Sequence, residues 1–196
     1  MQTQTVSCTY FERPGRENTA ATFQIALERA KALGVRTIVV ASTSGATGAE
    51  AARIFAGHNL VVVTHSHGFR EPNTQELLPE HREAIEAAGG KVLTCQHAFG
   101  GVGRAVRRKL ETYELEEIVA YTLRTFGEGI KVLAEITVMA ADAGLIRTDE
   151  ECIAIGGTGR GADTAAVVLP ANAQDFFDLE IREILCKPRV LRRRLG

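Results

Sequence analysis

Three short apolar runs, each closed by a polar turn and followed by a stretch with helical spacing, constrain the fold of this chain more than any other feature. They are Ile38-Val39-Val40-Ala41, Leu60 to Thr64 and Lys91 to Cys95. Runs so short and so uniformly apolar suit strands covered on both faces, as in a parallel sheet. Parallel pairing needs crossovers, and the intervening stretches supply helices for them. The first is Ala-rich, with Ala49, Ala52, Ile54 and Phe55 on its core side and Gly57 at its end. The second is expected from about Thr74 to Ala88, with Leu77, Leu78, His81 and Ile85 on one side and Gly89-Gly90 stopping it.

Upstream, Val6 to Phe11 reads as a strand and Glu12-Arg13-Pro14-Gly15 as a turn. Asn18 or Thr19 then caps a helix in which Phe23, Ala26, Leu27, Ala30 and Leu33 recur at helical spacing up to Gly34. Downstream, Ala105 to Ala143 is helical in pattern with a break near Gly127 or Gly129. Cys152 to Ile155 and Ala165 to Leu169 are strands joined by a loop too short for a crossover helix, so they are expected to be antiparallel neighbours. Leu179 to Cys186 is a last strand. The sum is one α/β domain over residues 1–196, with a mostly parallel sheet and an antiparallel edge.

In such sheets ligands sit beyond the carboxyl ends of the parallel strands. Four loops of unusual composition fall there. The first, Ser42-Thr43-Ser44-Gly45-Ala46-Thr47-Gly48, offers hydroxyls, glycines and the free N–H groups of a helix start near Ala46. That suits a phosphate or carboxylate; Ser and Thr that merely cap the helix are the competing reading. No Gly-Lys-Ser/Thr and no GxGxxG occurs. The second loop holds His65, Ser66, His67 and Phe69, and the third holds Gly100 and Gly101. The fourth, Gly156-Gly157-Thr158-Gly159-Arg160-Gly161-Ala162-Asp163-Thr164, offers Arg160 as an anion clamp. Asp163 either accepts hydrogen bonds from ligand hydroxyls or caps its own turn. His65 and His67, as alternate residues of a strand end, are expected to share a face; hydrogen bonding to a ligand, or a satisfied histidine at the pocket rim, is favoured over a metal, for which no ligand set is complete. Glu12 is the best lone carboxylate for acid–base work, against a salt-bridged surface role. No residue pattern spells out a reaction.

A net charge of −1 gives no general attraction for nucleic acid or an anionic membrane. The basic run in KPRVLRRRL, Arg189 to Arg194, reads as a solvated or partner-facing tail. Cys8, Cys95, Cys152 and Cys186 form no CxxC pair and lie by apolar runs, as buried free thiols of a reducing compartment do. With no leader and no membrane-length apolar stretch, a cytoplasmic protein is expected.

TIVVASTSGATGAEAARIF followed by LVVVTHSHGF resembles the C-terminal α/β domain of pyruvate kinase, and GTGRGADTAAVVLP is similar to that domain's closing Gly-rich loop and strand. The resemblance implies a three-layer α/β/α fold and a phosphate site of the kind that holds fructose 1,6-bisphosphate in allosteric pyruvate kinases. Ser42, Thr43, Ser44, Gly45 and Thr47 would carry that site, with Gly159 and Gly161 in the second loop. The chain has no room for the catalytic barrel, so pyruvate kinase activity is not expected. YFERPGRENT, VVASTSGATG and GGTGRGADTA are similar to a stand-alone family of pyruvate kinase α/β-domain-like proteins. That likeness implies a flavin mononucleotide (FMN) in the cleft, its phosphate on Ser42 to Gly48. A sensor of a sugar phosphate is the alternative, and the pyruvate kinase analogy implies a homo-oligomer.

Overall fold

The computed structural model describes residues 3–190. Seven strands form one sheet: β1 (Thr9–Phe11), β2 (Thr37–Ala41), β3 (Asn59–Val63), β4 (Lys91–Leu93), β5 (Cys152–Gly156), β6 (Thr164–Leu169) and β7 (Glu180–Pro188). Their order is β1-β7-β6-β5-β2-β3-β4. Neighbours pair in parallel except across β6, which runs antiparallel to both β5 and β7. The antiparallel pairing thus falls on one side of the sheet, with β7 and β1 flanking it to the margin.

Six helices cover the sheet: α1 (Thr19–Leu33), α2 (Ala46–Ile54), α3 (Pro79–Ala87), α4 (Val102–Leu110), α5 (Leu115–Arg124) and α6 (Glu128–Asp142). Alternation along β2 explains the layering. Ile38 and Val40 face one side with Phe23 of α1, Ala51 and Ala52 of α2 and Ile85 of α3. Val39 faces the other with Ala120 of α5 and Ile130, Leu133 and Ala134 of α6. Burying each such Val, Ile or Leu side chain contributes about 1.5–3 kcal/mol, so the two cores on either side of one sheet hold the three layers together. No helix among the described residues is long and apolar enough to cross a membrane.

Several boundaries differ from the sequence expectation, each for a local reason. β1 is shorter than Val6–Phe11, because only Thr9 to Phe11 find partners, on β7. α3 begins at Pro79 rather than Thr74: Pro79 lacks an N–H and suits the first helical position, while Leu78 before it is extended at φ −78°, ψ 138°. β4 stops at Leu93, short of Cys95. The segment 105–143 is three helices, not one broken once; Gly127 makes the expected break, and Glu111, left-handed at φ 56°, makes another. Cys152 and Cys186 are buried as expected, whereas Cys8 and Cys95 are half-buried. The basic run from position 191 on lies outside the described residues.

Close helix approach rests on glycines. A Cβ on Gly48 would lie 2.5 Å from Val62 Cγ1, so only glycine lets α2 sit this near β3. At the head of α6, a Cβ on Gly156 would lie 2.8 Å from the Gly129 carbonyl. This contact pins the start of α6 to the carboxyl end of β5.

Candidate functional site

The carboxyl ends of β2, β3 and β5 open into a cleft of about 840 Å³, walled on the far side by α6. Of the loop after β2, Ser42, Thr43, Ser44 and Thr47 line it. Ser42 is buried and acts as scaffold, because its backbone N–H donates to the Val63 carbonyl (2.9 Å) and its Oγ accepts from Gly48 N–H (3.0 Å). The second bond caps α2, whose preceding residue Gly45 is left-handed at φ 91°. Gly45 does not line the cleft; a Cβ there would strike His81 and Leu77. Gly48 likewise serves packing rather than contact. The N–H groups of Ala46 and Thr47, in the first turn of α2, remain without intrahelical acceptors and carry the positive end of the helix dipole.

The loop after β5 contributes Gly157, Gly159, Arg160 and Gly161. Asp163 is fully buried beneath it. Its Oδ2 accepts from Gly15 N–H and Thr158 N–H, both at 3.1 Å, and its Oδ1 accepts from the Thr164 hydroxyl at 2.8 Å. These bonds use the carboxylate to tie the turn after β1 to the Gly-rich loop, and Asp163, Thr158 and Thr164 do not line the cleft. Glu12 is on that first turn and does not line the cleft, so its expected acid–base role finds no support. Instead Arg16, in the short helical turn that follows, reaches the cleft beside Thr19.

The loop after β3 divides. β3 ends at Val63, so His65 and His67 do not alternate along a strand and share no face. His65 and Phe69 line the main cleft, while Ser66, His67, Gly100 and Gly101 line a neighbouring cavity of about 740 Å³. The expectation that the two histidines share a face is thereby corrected. The third loop likewise does not converge with the others through its glycines.

His65 is held from both ring nitrogens. Nδ1 lies 2.7 Å from Glu76 Oε2, and Nε2 lies 3.4 Å from Thr43 Oγ1. Arg70 donates to the other Glu76 oxygen at 2.7 Å. Burial pushes the His65 pKa down more than Glu76 pushes it up. Burial pushes Glu76 up, but its bonds from His65 and Arg70 outweigh this and hold it below the usual carboxylate range. A neutral imidazole that donates from Nδ1–H to the Glu76 carboxylate and accepts at Nε2 satisfies both partners.

The α6 wall was not foreseen from the sequence. Lys131 donates to Glu135 one turn on, and Glu135 Oε1 also accepts from Phe99 N–H at 3.0 Å. His97 Nδ1 stands 3.7 Å from Glu135 Oε2, and its Nε2 is buried with no partner among the described residues. Burial pushes the Glu135 carboxyl up, but His97 and Lys131 more than offset this and hold it at about 2. A charged pair at i and i+4 inside an otherwise apolar helix was the available signal. Across the cleft as a whole, seven Arg and Lys side chains face four Glu. Glu76, Glu128 and Glu135 are already paired with Arg70, Arg124 and Lys131, which leaves Arg16, Arg53, Arg104 and Arg160 against Glu50 alone. The cleft therefore carries surplus positive charge.

These features define a three-layer α/β/α protein with a basic cleft at the carboxyl ends of its parallel strands. The chain matches the family described as pyruvate kinase, alpha/beta domain, over residues 20–168, and it belongs to that family. Two solved structures are similar to it in part. A pyruvate kinase from Cryptosporidium parvum is 15% identical over 77% of this chain and 22% of that chain, with a TM-score of 0.38. Cryptosporidium parvum pyruvate kinase in complex with ADP is 15% identical over 75% of this chain and 22% of that one, with a TM-score of 0.36. The chain therefore spans about a fifth of the length of these enzymes.

Proposed function

We propose that the cleft binds a phosphate-bearing small molecule and that FMN is its ligand. The observation that carries this reading is the convergence of the Thr43, Ser44 and Thr47 hydroxyls and the α2 N-terminus with the surplus cations Arg16, Arg53 and Arg160. A phosphate there gains charge-assisted hydrogen bonds and the favourable end of the helix dipole. The cleft volume of about 840 Å³ lies in the range of cofactor-sized pockets. The His65 and His97 rings, on which Phe69 stacks, offer π-faces to a conjugated ring. When bound, a flavin supplies electron transfer. This chain's residues would anchor its phosphate, exclude water along α6 and present Lys131 and His97 to whatever reacts. A sugar bisphosphate sensor is the second reading, favoured by cations drawn from several separate elements around the cleft.

The visible spectrum of the freshly purified protein separates the two. Flavin bands, with FMN released by acid at close to one per chain, support the first. A colourless protein that takes up no FMN but melts at higher temperature with fructose 1,6-bisphosphate overturns it. Within the first reading, Thr43→Val combined with Ser44→Ala is expected to weaken FMN binding by about 1–3 kcal/mol, the usual loss for hydrogen bonds to a charged group. Titration by flavin fluorescence checks this, and unchanged affinity would mean that the phosphate lies elsewhere.

A further inference from the structure

Phe69 occupies an unusual place for a half-buried loop phenylalanine. Its ring lies 4.0 Å from the His65 ring and 4.9 Å from the His97 ring, at interplanar angles of 31° and 23°. The Arg104 guanidinium covers it at 4.7 Å from the centroid. The ring is therefore stacked across two imidazoles and capped by a cation, and it sits on the wall shared by both cavities. His97 carries the second observation, a buried Nε2 with no hydrogen-bond partner among the described residues. In the tautomer whose Nδ1–H faces Glu135, 3.7 Å away, that nitrogen is an acceptor. A buried acceptor left unmatched costs free energy that a suitable donor would recover. His65 also touches Thr43 of the β2 loop, so this stack adjoins the proposed phosphate anchor.

We propose that His65, His97 and Arg104 form a subsite for the planar, N–H-bearing heterocycle of a phosphomonoester, and that Phe69 fills this subsite in place of the ligand's ring. This rests on the reading that a phosphate binds the Ser42–Thr47 loop. The three side chains offer what such a ring needs: π-faces to stack on, a guanidinium 4.7 Å from the ring centre that Phe69 now occupies, and an unmatched buried nitrogen, His97 Nε2. Phe69 supplies the stacking but has no polar edge to satisfy that nitrogen. Binding therefore exchanges one ring for a better-matched one, at the cost of expelling Phe69.

The test compares FMN with ribose 5-phosphate, which has the phosphate and no ring, on the full chain. Phe69→Ala removes the competitor and is expected to bind FMN about tenfold more tightly, the worth of the stacking and cation contacts that Phe69 no longer has to give up. Ribose 5-phosphate should be unaffected. His97→Ala should weaken FMN and leave ribose 5-phosphate unchanged; thermal melts confirm that both variants fold. If wild type binds FMN and Phe69→Ala binds it equally or more weakly, Phe69 is a fixed wall and the subsite assignment fails while the phosphate reading stands. If neither ligand binds any of the proteins, the phosphate reading falls and the subsite with it.

Discussion

Glu135→Gln is expected to lower stability by about 3–5 kcal/mol, the usual cost of removing one partner of a buried ion pair. The Glu135 side chain is only 5% exposed and gathers three groups: Lys131 Nζ, Phe99 N–H and, at longer range, His97 Nδ1. An amide in its place leaves the Lys131 ammonium, 8% exposed, without a countercharge. Urea denaturation measures the loss. Adding Lys131→Met should recover much of it, because it removes the buried ammonium that the first substitution leaves without a countercharge. The same residue predicts a pH dependence. Its folded pKa, about 2, lies below the ordinary 4.5, so the folded state binds the proton less readily than the unfolded one. The carboxylate's contribution is complete above about pH 4.5 and is lost as pH falls from there toward 2. Glu135→Gln should abolish that part of the acid limb; an unchanged profile would show that the pair does not contribute.

Asp163→Ala should be comparably severe and should also damage the cleft. The carboxylate accepts three hydrogen bonds in a fully buried position, two of them from backbone N–H groups of Gly15 and Thr158. Hydrogen bonds to a charged group contribute about 1.5–3 kcal/mol each, and alanine leaves all three donors unmatched, so a loss of about 3 kcal/mol or more is expected. Because those bonds hold the Gly157–Gly161 loop against the turn that carries Arg16, the proposed binding of FMN should weaken as well. Asp163→Asn keeps one acceptor and should lie between the two. Asp163→Ala with wild-type stability would contradict the framework role.

The sheet was legible in the sequence because its signal is local. Ile38 to Ala41 and Leu60 to Val63 are apolar on both faces, and only a covered parallel strand tolerates that. The hydroxyl-rich turn after β2 and the Gly-rich loop after β5 were legible for the same reason: composition and position at a strand end name them. What could not be read was direction. Whether His67 looks into the same cavity as His65 depends on a turn beginning just past β3, and whether Asp163 meets a ligand or Gly15 depends on a contact 148 residues away in sequence. Glu12 and Arg16 illustrate the same limit, since a few residues of turn decide which of two neighbouring charges reaches the cleft.

The reversal at β6 has a consequence for how this cleft can diversify. A parallel successor to β5 would have needed a helix, and any change in the connecting loop would have shifted that helix against the sheet. Here the Gly-rich loop is a hairpin, with both ends fixed in paired strands from Gly156 to Thr164. Only its exposed tip, Gly159 and Arg160, can be exchanged while both cores keep their packing, because Ala162 belongs to one core and Asp163 ties the loop to the turn after β1. That tip is thus where the lining of the cleft can change at the least cost to folding. The opposite wall, α6, is joined to the sheet by the Gly129–Gly156 contact and has no such freedom.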